Sequence, residues 1–93
     1  PIFLLDEAKI YRGKISHFIA KTLKNTEARK KFRIILKQLV QDGFVIRNND
    51  DDLEIEVLDL AIEYEFLFLN PREEKIVFNS QIIRKGAELL IKG

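Results

Sequence analysis

The chain has 93 residues and no cysteine, and 46% of its residues are hydrophobic. This length is typical of one domain, which buries enough surface to fold without disulfides or a structural metal. The lack of cysteine excludes a disulfide framework and a thiolate metal site. Apolar runs fall well short of the roughly 18 residues of a membrane-spanning helix, so we expect no membrane segment. Residues 2–5 (IFLL) are too short for the core of a signal peptide and lack a basic lead, so we expect an intracellular protein.

The net charge of +1 hides a separation of charges along the chain. From Lys9 to Lys37 there are ten basic residues and one acidic residue. From Asp42 to Glu65 there are nine acidic residues and one basic residue. This segregation predicts a basic surface and a separate acidic surface.

Two short helices are predicted before residue 26. Residues 2–11 place their apolar side chains on one helical face. Gly13 interrupts this pattern, because glycine inside a helix costs about 1 kcal/mol relative to alanine. Ser16 is expected to cap the second helix, which covers 16–23. One continuous helix over 7–24 is the alternative, since the apolar residues stay in phase across the glycine.

Residues 26–42 give the strongest helical pattern of the chain. Thr26 is expected to cap the helix, and Gly43 suits the left-handed position after its end. Phe32 lies in the middle of the apolar stripe and is predicted to be a central core residue. The stripe consists of Ala28, Phe32, Ile35, Leu36 and Leu39. A basic arc lies on another side of the helix, formed by Arg29, Lys30, Arg33 and Lys37.

A first β-hairpin is predicted directly after this helix. Residues 44–47 form its first strand, and the Asn- and Asp-rich segment 48–52 forms its turn. Residues 53–57 alternate apolar side chains with Glu54 and Glu56, which is typical of a half-buried strand.

The last third of the chain predicts a second hairpin and a helix. Strands over 62–69 and 75–78 flank a turn at 70–73. Asn79 or Ser80 caps a final helix over 80–92.

The phrases ISHFIAKTL (15–23), LKQLVQDGFVI (36–46) and IIRKGAELL (82–90) carry a resemblance to a known family. With these phrases and the predicted order of three helices and a β-hairpin, the chain resembles the winged helix-turn-helix superfamily. The resemblance implies an α+β fold in one domain, residues 1–93. Three N-terminal helices, a hairpin wing and a C-terminal helix would follow in that order. The second hairpin, 62–78, lies between the wing and the C-terminal helix and departs from the pattern of the superfamily. It also implies that helix 26–42 reads the major groove of double-stranded DNA, with Arg29, Lys30 and Arg33 near bases or phosphates.

The leading functional hypothesis is a DNA-binding module that acts as a small transcriptional regulator. Its phosphate contacts would come from the basic arc and from neighbouring lysines, namely Arg29, Lys30, Arg33, Lys37, Lys14, Lys21 and Lys24. A homodimer through helix 80–92 is predicted, because this helix is more apolar than one contact within a monomer requires.

The alternative hypothesis is a protein-interaction module of winged-helix type. It would dock a partner through its acidic hairpin, 50–65, with Asp50, Asp51, Asp52, Glu54 and Glu56 as contact residues. The three aspartates in the turn favour this alternative, because phosphate repels them. An accessory domain of a nucleic-acid enzyme is a third hypothesis.

Catalysis by this chain is not expected. His17 is the only histidine, and no cysteine or glycine-rich phosphate loop accompanies it. The segment 50–56 lacks the glycine and the spacing of an EF-hand loop, so no metal or cofactor is predicted.

Overall fold

The computed structural model describes residues 2–92, and its description of side chains begins at residue 5. The fold is α+β. Within these residues the four α-helices are α1 (Ile2–His17), α2 (Thr26–Asp42), α3 (Asp52–Glu63) and α4 (Gln81–Lys92). Its three strands are β1 (Val45–Ile46), β2 (Leu67–Asn70) and β3 (Lys75–Phe78).

The N-terminal part is one continuous helical rod. α1 runs through Gly13 and leads into a π-helical segment, Phe18–Thr22, which ends with a bond from the Leu23 amide to the Phe18 carbonyl. The prediction of a break at Gly13 with Ser16 as a cap is therefore wrong. The alternative of one helix over 7–24 is close to the structure. Contacts along α1 outweigh the unfavourable helix propensity of one glycine.

The prediction for α2 is confirmed over its full length. Phe32 is completely buried, and Gly43 has a φ of 86° just past the helix end. The N-cap is Asn25, whose side chain accepts a hydrogen bond from the Ala28 amide at 2.8 Å, so the prediction of Thr26 as the cap is wrong. Asparagine is as good a cap as threonine or better, and it lies one residue earlier.

Residues 53–57 form part of α3 and not a strand. The predicted hairpin wing over 44–57 is therefore wrong, and so is the order of three N-terminal helices followed by that wing. Asp51 caps α3, because its side chain accepts a hydrogen bond from the Glu54 amide at 3.0 Å. Val57, Leu58 and Ala61 are buried against the core.

The three strands form an antiparallel sheet in the order β1-β3-β2. The hairpin of β2 and β3 confirms the predicted turn at 70–73, although β2 begins at Leu67 and not at 62. β1 pairs with β3, with Val45 opposite Ile76. One face of the sheet carries Val45, Leu67 and Ile76, which are buried in the core.

α4 follows a cap by Ser80, whose hydroxyl accepts a hydrogen bond from the Ile83 amide at 3.3 Å. Its apolar side packs within the same chain, on α1 and α2, and its buried residues are Ile83, Gly86 and Ala87. Ile82, Leu90 and Ile91 are half-buried against the core. These contacts account for the apolar pattern of the helix without a second copy, and the dimer through 80–92 stays a prediction.

Candidate nucleic-acid interface

The solvent-exposed side of α2 carries three cations. Lys30, Arg33 and Lys37 follow one another at spacings of three and four residues, which places them on the same side of the helix. All three are exposed, and none of them makes an ion pair within the described part of the chain. We call these three residues the basic face. They offer positive charge to a partner without first having to break a bond.

Arg29, the fourth member of the predicted arc, has a different role. Its Nε donates hydrogen bonds to the carbonyl oxygens of Leu23 at 2.8 Å and Ile19 at 3.1 Å. Its Nη2 donates to the carbonyl of Ala20 at 3.0 Å. The last turn of a helix leaves carbonyls without partners, and a guanidinium can satisfy several of them. Arg29 therefore closes the π-helical segment and is not open for a phosphate in this conformation.

Arg84 closes α2 in the same way, although its sequence position gives no sign of this role. Its guanidinium donates to the carbonyls of Val40 at 2.6 Å and Leu39 at 3.4 Å. A basic residue far along the chain carries no local signal that it caps a helix, so only the tertiary structure reveals this contact.

The other predicted DNA-binding lysines are all exposed, but they do not extend the basic face along one helix. Lys14 is on α1, where its Nζ lies 4.8 Å from the centre of the Tyr11 ring. Lys21 belongs to the π-helical segment, and Lys24 to the short connection before α2. Lys21 and Lys24 precede α2 directly in the chain, so they are the natural candidates for additional contacts at its start.

Some of the predicted acidic contact residues accept hydrogen bonds within the chain, whereas others are exposed to solvent. Asp51 caps α3 and forms an ion pair of 2.7 Å with Lys31 of α2. The hydrogen bond from Lys31 lowers the pKa of Asp51, and the same bond raises the pKa of Lys31. Glu54 accepts a hydrogen bond from the Asn48 amide at 3.2 Å. Asp50 is exposed in the loop before α3.

An exposed stripe of carboxylates runs along the whole of α3. Its members follow the spacing i, i+4, i+7, i+11 and are Asp52, Glu56, Asp59 and Glu63. We call these residues the acidic stripe. Asp59 pairs with Arg47, whereas the other three make no ion pair among the residues described. The continuity of this stripe was not predicted, because the alternation over residues 53–57 favours a strand.

The described residues include no group of three or more histidine, cysteine or carboxylate side chains placed to hold a metal ion. No helix within residues 2–92 is long and apolar enough to cross a membrane. Comparisons with protein families, with curated proteins and with solved structures found no match.

Proposed function

We propose that this protein binds double-stranded DNA through the basic face of α2. The observation that supports the proposal is the state of Lys30, Arg33 and Lys37. They are exposed, unpaired within the described chain, and aligned on one side of a 17-residue helix. Lysine and arginine in such an arrangement provide the sequence-independent phosphate contacts of nucleic-acid binding.

The side of α2 that carries the basic face also supports base recognition. An α-helix fits the major groove of B-form DNA, in which arginine pairs with guanine and glutamine pairs with adenine. Gln41 is exposed on α2 one turn after Lys37, so it lies on the same side of the helix as Lys37. Arg33 is central in the basic face, so it is the residue most suited to contact a guanine edge. The role of a small transcriptional regulator remains part of this proposal.

A salt titration of the affinity for duplex DNA tests the proposal. Three phosphate contacts give a slope of about −2.7 in log K against log salt, at roughly 0.9 per phosphate. Lys21 and Lys24 make the slope steeper if they also contact phosphates. We expect Arg33→Ala to reduce the slope by about one if Arg33 meets a phosphate. If it meets a guanine edge, the loss is about 1–3 kcal/mol and is confined to the preferred sequence.

A charge-matched control separates the basic face from net charge. The triple variant Lys30→Gln, Arg33→Gln, Lys37→Gln should remove most of the binding. A second triple variant, Lys9→Gln, Lys85→Gln, Lys92→Gln, removes the same charge from exposed residues of α1 and α4. It should retain the wild-type slope. Equal losses in both variants, or no binding by the wild type at low salt, would contradict the proposal.

A second candidate function is the docking of a basic protein partner on α3. The acidic stripe supports it, because Asp52, Glu56 and Glu63 are exposed and unpaired within the described residues. This second function would be favoured if neutralising these three carboxylates abolished binding of a protein partner and the wild type did not bind DNA. Neither candidate depends on the resemblance to the winged helix-turn-helix superfamily, whose predicted wing strand over 53–57 is helical here.

A further inference from the structure

One face of α1 is open to solvent on the side away from α4. α4 lies against Tyr11 and Arg12, where Gly86 approaches so closely that a β-carbon added to it would lie 2.7 Å from the Tyr11 Cβ. The open face carries exposed residues at the spacing i, i+4, i+7, i+11, namely Asp6, Ile10, Gly13 and His17. We call them the α1 stripe. Ile10, the large apolar residue of the stripe, is 56% exposed.

An apolar groove of about 450 Å³ follows the α1 stripe. Ile10, Gly13 and His17 contribute to one wall, and the aromatic rings of Tyr64 and Phe66 contribute to the other. The Tyr64 side chain is 53% exposed, although it packs edge-on against Phe18. The groove is therefore lined by apolar surface that the described chain leaves uncovered.

Gly13 is not required by packing inside the monomer. Apart from its chain neighbours and the backbone of its own helix, no described atom lies within 4 Å of the position that a β-carbon would take there, and its φ is not positive. A glycine in a helix lowers stability by about 1 kcal/mol relative to alanine. Its physical advantage at this position is that it lets another backbone or side chain approach the helix closely.

We propose that the protein forms a symmetric dimer in which the α1 stripes of two copies pack antiparallel. The spacing of the stripe is four, three and four residues, so it is the same when read from either end. In an antiparallel pair, Ile10 therefore lies over Gly13 of the second copy, and Asp6 faces His17. This self-complementarity is what an interface with a twofold axis requires.

The charges beside the stripe select the antiparallel orientation. Glu7 and Lys14 are exposed, lie seven residues apart on the same side of α1, and make no ion pair among the described residues. In the antiparallel register, Glu7 of one copy lies about 3 Å along the helix axis from Lys14 of the other. In a parallel pair, this flank of one copy lies on the opposite side of the interface from the same flank of the other, so Glu7 and Lys14 form no such ion pairs. One helix pair forms a small interface, so we expect a dissociation constant in the range of about 10–500 µM.

Sedimentation equilibrium of the whole chain across that concentration range tests the dimer. Ile10→Lys should raise its dissociation constant at least about tenfold, because it buries a charge opposite Gly13. Ile46→Lys is the matched control, since Ile46 is 62% exposed and lies on the sheet. It should leave the dissociation constant unchanged. A wild type that stays monomeric up to about 500 µM overturns the proposal.

Charge reversal gives a second test that does not depend on the apolar contact. Glu7→Lys and Lys14→Glu should each weaken the dimer, and the double variant should restore it, because the two ion pairs re-form with opposite sign. Far-ultraviolet circular dichroism confirms the fold of each variant. If Ile10→Lys fails to fold, the reversal series decides alone. A dimer that tolerates every single variant uses another surface and excludes the α1 stripe.

Discussion

At the scale of single residues, Phe32 is the centre of the core. Its side chain is fully buried, and its ring centre lies 5.2 Å from that of Phe18 in an edge-on arrangement. We expect Phe32→Ala to lower the free energy of unfolding by about 3–5 kcal/mol, since it removes buried apolar surface and leaves a cavity. Urea unfolding measures the loss. Phe68→Ala is the control, because Phe68 is 50% exposed, and a loss of similar size there would contradict this account of the core.

Arg29 should contribute to stability and Arg33 to DNA binding, although both are arginines of α2. Arg29→Ala leaves three carbonyls of the preceding segment without their donor, so we expect stability to fall by about 1–2 kcal/mol. Arg29→Lys should recover little of this, because an ammonium cannot reproduce the fork of the guanidinium. Arg33→Ala should leave thermal unfolding unchanged and weaken DNA binding. Thermal unfolding and DNA binding are measured for both variants. A loss of stability in Arg33→Ala, with a loss of DNA binding alone in Arg29→Ala, would contradict these two roles.

At the scale of elements, α3 shows why part of the fold could not be predicted from the sequence. Leu53, Ile55 and Val57 alternate with glutamates over five residues, and so short a window fits a strand. Over the full twelve residues, the acidic stripe has helical spacing, and Asp51 lies at the cap position. α2 was predictable because its stripe is long and ends at Gly43. The contacts of Arg29 reach back 6 to 10 residues, and those of Arg84 reach back 44 and 45 residues, so neither follows from a local helix pattern.

The start of α3 should respond to pH through Asp51. Its pKa is lowered by the hydrogen bond from Lys31. A carboxyl group with a lowered folded-state pKa stabilises the protein above its unfolded pKa, near 3.8, and loses this contribution as the pH falls through the folded value. Asp51→Asn keeps an acceptor for the cap but removes the ion pair. We therefore expect the variant to be less stable than wild type at neutral pH.

The difference between wild type and Asp51→Asn should shrink as the pH drops below about 4, and it should vanish below the lowered folded-state pKa of Asp51, where both side chains are neutral. Urea unfolding at pH 7 and at low pH measures it. Asp50→Asn is the matched control, because Asp50 is exposed in the adjacent loop and makes no ion pair within residues 5–92. A difference that persists unchanged at low pH would mean that the Lys31 pair does not stabilise α3.

At the scale of the whole molecule, the charges separate between two helices. The basic face occupies the exposed side of α2, and the acidic stripe occupies the exposed side of α3, while Lys31 and Asp51 join the two helices between them. The split in the sequence predicted two surfaces of opposite sign, and the helices display them. Such an arrangement attracts a polyanion to α2 and repels it from α3.

The acidic stripe should therefore weaken DNA binding without contacting DNA. The triple variant Asp52→Asn, Glu56→Gln, Glu63→Gln removes three charges and retains Asp51, which caps α3, and Asp59, which pairs with Arg47. We expect a higher affinity for duplex DNA at low salt, where the Debye length is about 30 Å at 0.01 M, and little change near 1 M, where it is about 3 Å. The number of phosphate contacts is unchanged, so the gain reflects reduced long-range repulsion and should fade as salt screens it. Fluorescence anisotropy with a labelled duplex across this range measures both effects. A gain that persists at high salt would mean that the stripe touches the DNA, and no gain at low salt would mean that α3 lies beyond the reach of the phosphate charges.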